Sequence, residues 1–575
     1  MTAVDTAADV ASPAPQPRAR LQVRDRISRL AWPAAAVVVA ALVVVPVAML
    51  ATSVLDPNVE VWRQQWQTRL PDQLVDTAVL LVGVAAGSGA IGAGLAWLVT
   101  AYRFPGVRAL GWLLVLPLAM PGYILGFVTL SLVGFTGPIQ GWWRDRFGQD
   151  AWFPEVRSMG GAIVVLTLVL YPYVYLVARA ALRDQAGAVY EAARTLGAGP
   201  VAAARRVVLP LLRPALAAGV AVVMMETLTD FATVQYFGVD TVSVGVFRIW
   251  RGTFDRDAAS ELATLVLVFA LLVIGLERAL RGRARYASAG GAGGGFVPKR
   301  LRGWRAVAAT TACVGVVVLG FGAPAAQLVV WSVQEVRGER GVPLAGRFAE
   351  YLGNSVILAA LTAGLCVAVA LVVANASRFA RSPVTGSAAR LSSVGYAVPG
   401  PVVAIGVLLT LVAVDDLLGA LGSGLPGVVA TGSIVGLVYA YGVRFLAPGL
   451  NAVEAGLQQV PEEITATARS LGARPHRTAR LVHLPLSRAS VATAAVIVAV
   501  DALKELPIVL LLRPFGFDTL PVWVWNLASE SRFEQAAVPA LAIVAVAVVP
   551  VALLSWQLNR RHGATTTPDD RPALR

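Results

Sequence analysis

The chain has little of what most soluble enzymes are built on. Its 575 residues include three histidines, two cysteines and two lysines, and only 14% of them are charged. A soluble domain averages about 25% charged residues, so a water-soluble globule is excluded for most of this length. Cys313 and Cys366 both lie inside apolar stretches. They read as small packing residues, not as a disulfide or a metal site. His476, His483 and His562 lack metal-ligand spacing and read as loop or tail residues. A phosphate-binding loop needs G-x-x-x-x-G-K-[ST]. Neither Lys299 nor Lys504 sits in that context, and the glycine-rich stretch before Lys299 lacks the Gly-Lys-Ser/Thr end. No catalytic residues and no bound cofactor are expected, and no metal ligand is assigned. Short alternating segments of the kind that build a strand barrel do not dominate either.

What is abundant is apolar sequence. Hydrophobic residues make up 57% of the chain and the mean hydropathy is +0.68. Apolar runs of about 20 residues, enough to cross a bilayer as helices, recur along it. Twelve spans are expected, at 31–54, 75–101, 109–133, 160–180, 215–236 and 261–280, then 306–332, 354–376, 391–413, 427–446, 489–511 and 536–558. The fold class is therefore an all-α membrane protein. Met1 to about Pro17 is rich in Ala, Pro, Asp and Thr and reads as disordered. Arg18, Arg20, Arg24, Arg26 and Arg29 then precede the run from Leu30 to Leu55. That order resembles a signal peptide, but the run is long and more spans follow, which favours an uncleaved first helix.

A net charge of +14 and a pI near 10.4 raise the question of nucleic acid. The distribution of arginine answers it. Alternate loops hold Arg103 and Arg108; Arg205, Arg206 and Arg213; then Arg281 to Arg305; then Arg378, Arg381, Arg390, Arg474, Arg477 and Arg480; then Arg560 and Arg561. The intervening loops carry mixed charge, such as Arg144, Asp145, Arg146, Asp150 and Glu155. Basic loops on one side are the positive-inside pattern, so both termini are expected in the cytoplasm of a cell-membrane protein, and nucleic acid is not expected as a partner.

The chain also repeats itself. Arg103-Phe104 recurs as Arg378-Phe379, offset by 275, Pro121-Gly122 as Pro399-Gly400, offset by 278, and Phe237-Gly238 as Phe515-Gly516, again by 278. Gly/Ala-rich residues 286–298 separate the copies and read as a flexible linker. The expected organisation is a tail (1–29), a first half (30–285), a linker (286–303), a second half (304–560) and a second tail (561–575). Two like-oriented six-helix halves imply a pseudo-twofold axis along the membrane normal, with a pathway at their interface.

Within each half one basic loop has a fixed spacing. Glu191-Ala192-Ala193 is followed by Gly197 and by Leu209-Pro210. At an offset of 275, Ala466-Thr467-Ala468 is followed by Gly472 and by Leu484-Pro485. Residues 182–196 are expected to form a short helix with small residues on one face. A glycine at positive φ then ends it at a sharp turn. Proline suits the start of the next helix. An amphipathic connector lying on anionic lipid is the alternative for one such loop, but it does not explain two with equal spacing. The spacing E-A-A-x3-G-x9-[IV]-x-L-P resembles the cytoplasmic loop of ABC importer permeases. That resemblance implies two copies of a cytoplasmic ATPase docked on two elbows, with ATP used by those partners. It also implies an extracytoplasmic substrate-binding protein. The second copy departs from the pattern: Ala466 stands for the glutamate and Thr467 for the first alanine, so the role of Glu191 does not transfer.

Charged residues inside two apolar runs form a second constellation. The fifth span contains Glu226 and Asp230, and the eleventh contains Asp501, Lys504 and Glu505. The offset of 275 maps Glu226 onto Asp501 and Asp230 onto Glu505. Each pair is spaced i,i+4, on one helix face. A charge at a span centre costs about 2.5–3.5 kcal/mol even on the lenient insertion scale, so these faces should turn to a shared interior. They read either as interhelical ion pairs, with Lys504 holding Asp501 or Glu505, or as an acidic lining for a cation path. Residues 224–252 and 501–529 are similar to the corresponding stretches of ferric-iron ABC transporter permeases, which implies iron as the substrate. Thiamine, polyamine and phosphonate permeases are rivals of similar build. A secondary transporter and a membrane-anchored receptor or scaffold are the readings from other classes.

Overall fold

Apolar runs long enough to span become helices here because the backbone must satisfy its own polar groups in a bilayer. The computed structural model describes residues 17–53, 59–183, 187–253, 256–281, 298–337, 344–380, 382–420 and 430–563. Residues 1–16, 564–575 and most of the expected linker, 286–297, lie outside them. Eleven helical segments among the described residues are long and apolar enough to cross a membrane. The expected span at 427–446 is Ile434–Gln458, whose 25 residues reach roughly 37 Å at 1.5 Å per residue. It carries Arg444 and Glu454 and is correspondingly less apolar. Its counterpart in the repeat is Met159–Ala181. Both helices start on the same cap: the Ser158 hydroxyl accepts from Gly161 N–H at 3.3 Å, and that of Ser433 from Gly436 N–H at 3.0 Å.

The two halves are not separate packing units. The first span, Pro17–Ser53, lies against second-half helices Leu344–Ala380, Pro383–Ser392 and Gly400–Ala420. The helix Ala323–Val336 of the seventh span packs on Phe533–Gly563 and also reaches Gly122–Val133 in the first half. Local chemistry shows how the first exchange is fixed. Pro46 has no N–H to give the Leu42 carbonyl, and the Tyr439 hydroxyl donates to that carbonyl at 2.6 Å. Trp32 meets Phe379 edge-on, with ring centroids 5.3 Å apart. Gly406 permits the crossing, because a Cβ there would strike the Pro46 carbonyl.

Four expected spans are interrupted, not continuous. The third is Val107–Leu113, a 3-10 turn Leu116–Ala119 and Gly122–Val133, broken at Pro121. The ninth is Pro383–Ser392, a turn Val394–Ala397 and Gly400–Ala420, broken at Pro399. The fifth is Leu209–Thr229 and Phe231–Tyr236, parted by Asp230. The eleventh is Leu484–Lys504 and Pro507–Leu512, parted by Glu505 and Leu506. Proline disfavours helical backbone in the residue before it, which accounts for the breaks at Met120 and Val398. The apolar run passes through the third- and ninth-span breaks with no charge, whereas the fifth- and eleventh-span breaks fall on the charged residues Asp230 and Glu505.

On the side away from the elbows the halves dock alike. The Thr77 hydroxyl accepts from Val242 N–H at 3.1 Å. At the repeat offset of 278, the Ser355 hydroxyl accepts from Leu520 N–H at 2.8 Å. The halves meet there through aromatic rings: Phe127 stacks on Phe533 at 5.9 Å, and Phe247 meets Trp525 edge-on at 5.4 Å.

Backbone pairing begins inside the expected linker 286–303, right after its Gly/Ala-rich part. Lys299–Arg300 forms a short parallel pair with Tyr102–Arg103, and Leu301 N–H donates to the Arg103 carbonyl at 2.9 Å. Backbone pairing at Tyr102 gives these residues a partner that the Gly/Ala composition cannot reveal.

Candidate functional site

The first elbow is built from the chain upward. Its first helix is Gly187–Thr195, shorter than the expected 182–196. Gly197 N–H donates to the Arg194 carbonyl at 3.1 Å and Ala198 N–H to the Ala193 carbonyl at 3.0 Å. This paired closure needs a left-handed residue, and Gly197 has φ +88°. The second elbow repeats it on Glu462–Ser470. Gly472 N–H donates to the Arg469 carbonyl and Ala473 N–H to the Ala468 carbonyl, both at 2.9 Å, with φ +79° at Gly472.

The Leu-Pro pair of each motif acts on a π turn. Pro210 cannot bond to the carbonyl four residues back, and its ring would crowd it. The helix widens instead over Ala204–Val208, and Leu209 N–H reaches the Ala204 carbonyl, five residues back. Ala479–His483 widens in the same way before Pro485, with Leu484 N–H on the Ala479 carbonyl. The descending helix therefore continues into the fifth and eleventh spans without a loop, as one continuous rod. Leu196 and Leu471, 87% and 82% exposed, stand at the two tips. Such exposed leucines at matched positions suit a partner surface. Ala192, Ala466 and Thr467 are exposed beside them, while Glu191, Ala193 and Ala468 are half-buried.

The elbows are anchored by different chemistry. In the first, Tyr190 meets Trp97 edge-on at 5.5 Å and Val208 is buried. In the second, Thr465 and His483 take those two positions. His483 Nε2 lies 3.0 Å from Thr465 Oγ1 and its Nδ1 lies 2.6 Å from Asn375 Oδ1. Phe379 stacks on the His483 ring at 5.4 Å, and Arg378 donates to the carbonyls of Leu457, Val460 and Pro461.

Three of the interrupted spans, the third, fifth and eleventh, converge between the halves on a cavity of about 110 Å3. Glu226, Asp230, Lys504 and Glu505 line it, with Gly122, Tyr173 and Pro507. Asp501 is not in the lining; Lys504 Nζ holds its carboxylate at 2.9 Å. Asp230 caps the helix Phe231–Tyr236, accepting from Thr233 N–H at 2.9 Å and Thr233 Oγ1 at 2.6 Å. Glu505 accepts from Ile508 N–H at 3.3 Å in the equivalent position. Each carboxylate faces the glycine after a break. A Cβ on Gly122 would collide with Asp230, and one on Gly400 would lie 3.1 Å from Glu505. The start of the helix beyond each break therefore presents its positive end to a carboxylate.

One member of this group is absent from the reading of the sequence. Arg444 lies in the tenth span, with its side chain 5% exposed. Its Nη2 is 3.8 Å from Glu226 Oε1, and its Nε is 3.8 Å from Glu505 Oε2. Nη1 donates to the Val398 carbonyl at 2.7 Å, at the ninth-span break. The signal that points to it is an arginine inside an apolar run. Among the described residues, no group of three or more His, Cys, Asp or Glu side chains is placed to hold a metal ion.

Residues 89–284 and 355–561 match the family described as binding-protein-dependent transport system inner membrane component, one match per half. The chain is 26% identical over 494 residues to the Fe(3+)-transport system permease protein FbpB 2 of Haemophilus influenzae, covering 85% of this chain and 90% of that one. It is 21% identical over 467 residues to the ferric transport system permease protein FbpB of Actinobacillus pleuropneumoniae, covering 77% and 64%. Against the sulfate transport system permease protein CysT of Salmonella typhimurium it is 31% identical over 223 residues, 37% of this chain and 78% of that one. With two family matches on two repeated helical halves, the chain belongs to the binding-protein-dependent transport system inner membrane components.

Proposed function

We propose that this permease passes ferric iron into the cell, driven by two cytoplasmic ATPase subunits seated on its elbows and supplied by an extracytoplasmic binding protein. Both termini then lie in the cytoplasm. The observation that carries the iron reading is the charge of the layer between the halves. The lining holds three carboxylates, Glu226, Asp230 and Glu505, and one cation, Lys504, while Asp501 and Arg444 stand just outside it and offset each other. When all are ionised, two negative charges are in excess. Such a lining lowers the barrier for a cation and raises it for sulfate. The lengthwise similarity to ferric permeases supports the same choice, whereas the sulfate permease similarity covers one half.

The mechanism follows from the rods. Closure of an ATPase pair would draw the elbows together. The helices Leu209–Thr229 and Leu484–Lys504 run from the elbows to Asp230 and Glu505, so the motion reaches the cavity walls. The two halves would then rock about their interface and change the side to which the cavity opens. The test is ATP hydrolysis by the complex reassembled in vesicles. Binding protein loaded with Fe(III) should stimulate it; stimulation by sulfate, thiamine or a polyamine and not by Fe(III) would defeat the iron reading alone. Uptake by the chain by itself on a proton or sodium gradient would instead identify a secondary transporter.

A further inference from the structure

Arg444 is not required by the repeat. The offset of 275 places Val169 at the equivalent position, so the second half has added a buried cation to a site where the first half has a valine. The guanidinium is held unevenly. One corner is fixed to the second half by the 2.7 Å bond to the Val398 carbonyl. The other contacts are loose. Both carboxylates stand at 3.8 Å, the Thr229 hydroxyl is at 3.4 Å, and Nε has no hydrogen-bond acceptor. Glu505 belongs to the second half, on the same side as the fixed corner. Glu226 and Thr229 belong to the first.

Separation of the halves must therefore break one arm and keep the other. Arg444 stays with Val398 and Glu505, and Glu226 is released. Glu226 and Glu505 both line the cavity, so a cation arriving there competes with Arg444 for the same carboxylates. Ion pairs this long lack the short hydrogen bonds that make such pairs strong, so the exchange requires no tight contact to be broken.

We propose that Arg444 is a tethered counter-ion that clasps the two halves shut beside the cavity, and that opening passes Glu226 from Arg444 to the transported cation. This rests on the reading of the cavity as a cation path. It gives a reason why a closed state would not leak: two carboxylates of the lining are already paired with a charge of the substrate's sign that cannot leave.

The test needs neither iron nor partner subunits. The purified chain is placed in vesicles loaded with calcein, and cobalt(II) is added outside. The wild-type chain should quench the dye slowly. Arg444→Gln should speed quenching about tenfold or more, the change expected when roughly 1.4 kcal/mol is taken from the closed state. Glu226→Gln, which removes only the arm to the first half, should speed it less. The double variant should not exceed Arg444→Gln. A folded Arg444→Gln chain that quenches at the wild-type rate overturns the clasp. If that variant does not fold, Glu226→Gln and Arg444→Lys decide, since a lysine ammonium cannot keep Val398 and both carboxylates together; wild-type rates in both overturn it. Passage of radiolabelled sulfate in place of cobalt would overturn the cation path and the exchange of Glu226, whereas ATP-driven Fe(III) uptake with no leak in any variant would leave the path standing and remove the clasp.

Discussion

The two halves of this chain share backbone devices and differ in what fills them. Both elbows turn on a glycine at positive φ, both widen into a π turn before Leu-Pro, and both carry the fifth or eleventh span down to a carboxylate at a helix break. The fillings diverge. The first elbow rests on an aromatic pair, Tyr190 with Trp97, and the second on a polar chain from Asn375 through His483 to Thr465. Thr229 in the first half stands where Lys504 does in the second, and Val169 where Arg444 does. The lesson is that turn geometry is held by the few residues with no substitute, while the packing beneath it is free to change chemistry. The second half has used that freedom to gather both cations of the central layer, the buried Arg444 and the half-buried Lys504.

The hardest way to break the shared part is at the glycines. Gly197→Val and Gly472→Val should each lower ATP-driven uptake by the reassembled complex about tenfold or more, with the chain still inserted. No atom lies within 4 Å of a Cβ built at either position. The cost is thus conformational, about 1–3 kcal/mol for a left-handed residue and more for a β-branched one. Loss in one variant only would show that a single elbow transmits the motion. Full uptake in both would remove the elbows from the mechanism.

A smaller effect should separate the halves at the central layer. Asp501→Asn takes from Lys504 the partner it holds at 2.9 Å. Leaving one member of a partly buried pair uncompensated should cost about 1–3 kcal/mol and lower the folded yield. Glu226→Gln has no lysine to strand, because Thr229 occupies that position, and it leaves Arg444 its contact to Glu505, so its yield should fall less. Fluorescence-detected size-exclusion of the two variants measures both. Equal losses would mean that the layer is one network, not two unlike halves.

The elbow anchors should separate next. His483→Val gives the second elbow the residue of the first, but it leaves the buried Asn375 carbonyl oxygen without the ring it faces at 2.6 Å. An unpaired buried acceptor costs about 1–3 kcal/mol. Thermal unfolding in detergent should shift down for this variant, and Asn375→Thr, the first half's residue at that position, should restore part of the loss. No restoration would show that the histidine acts through its stack with Phe379 instead.

Much of this architecture is legible in the sequence. The apolar runs give twelve spans, and the offsets of 275 and 278 give the repeat and pair the four carboxylates. The turn glycines and Leu-Pro pairs are visible from spacing alone. Three features are not. The helix breaks at Pro121 and Pro399 lie inside runs of even apolarity, so a reading by apolarity passes over them and the Pro-Gly pairs are the one local signal. The exchange of first spans is non-local: nothing near Trp32 or Pro46 in the chain names Phe379, Gly406 or Tyr439 as neighbours. Arg444 escapes a reading by apolarity because a single charge does not change the character of a whole span, although its energetic cost there is the larger signal.

The smallest expected effect tests the place where the second elbow motif lacks the charge of the first. Ala466 stands where the first elbow has Glu191, and it is exposed on the helix Glu462–Ser470. Ala466→Glu restores the first elbow's residue. On this helix it meets Glu462 and Glu463 one turn back and Arg469 one turn on. Like charges at helical spacing repel by about 0.2–0.5 kcal/mol and opposite charges attract by a similar amount, so two repulsions against one attraction leave a small net penalty of that size. In the first elbow the positions of Glu462 and Glu463 are Gly187 and Ala188, which are neutral. The second elbow has thus moved its acidic charge one turn toward the helix start, where the helix dipole favours it. Stability should change by no more than about 0.5 kcal/mol, and ATP-driven uptake should stay within a factor of about two. A severalfold gain in uptake would show that the missing glutamate is a real deficit and that Glu462 and Glu463 do not replace it. The coupled variant, Glu462→Gly with Glu463→Ala and Ala466→Glu, then rewrites the second elbow helix to the first elbow's charges. Uptake equal to wild type in that variant would place the difference between the halves in the anchors and the central layer, not at the elbow surface.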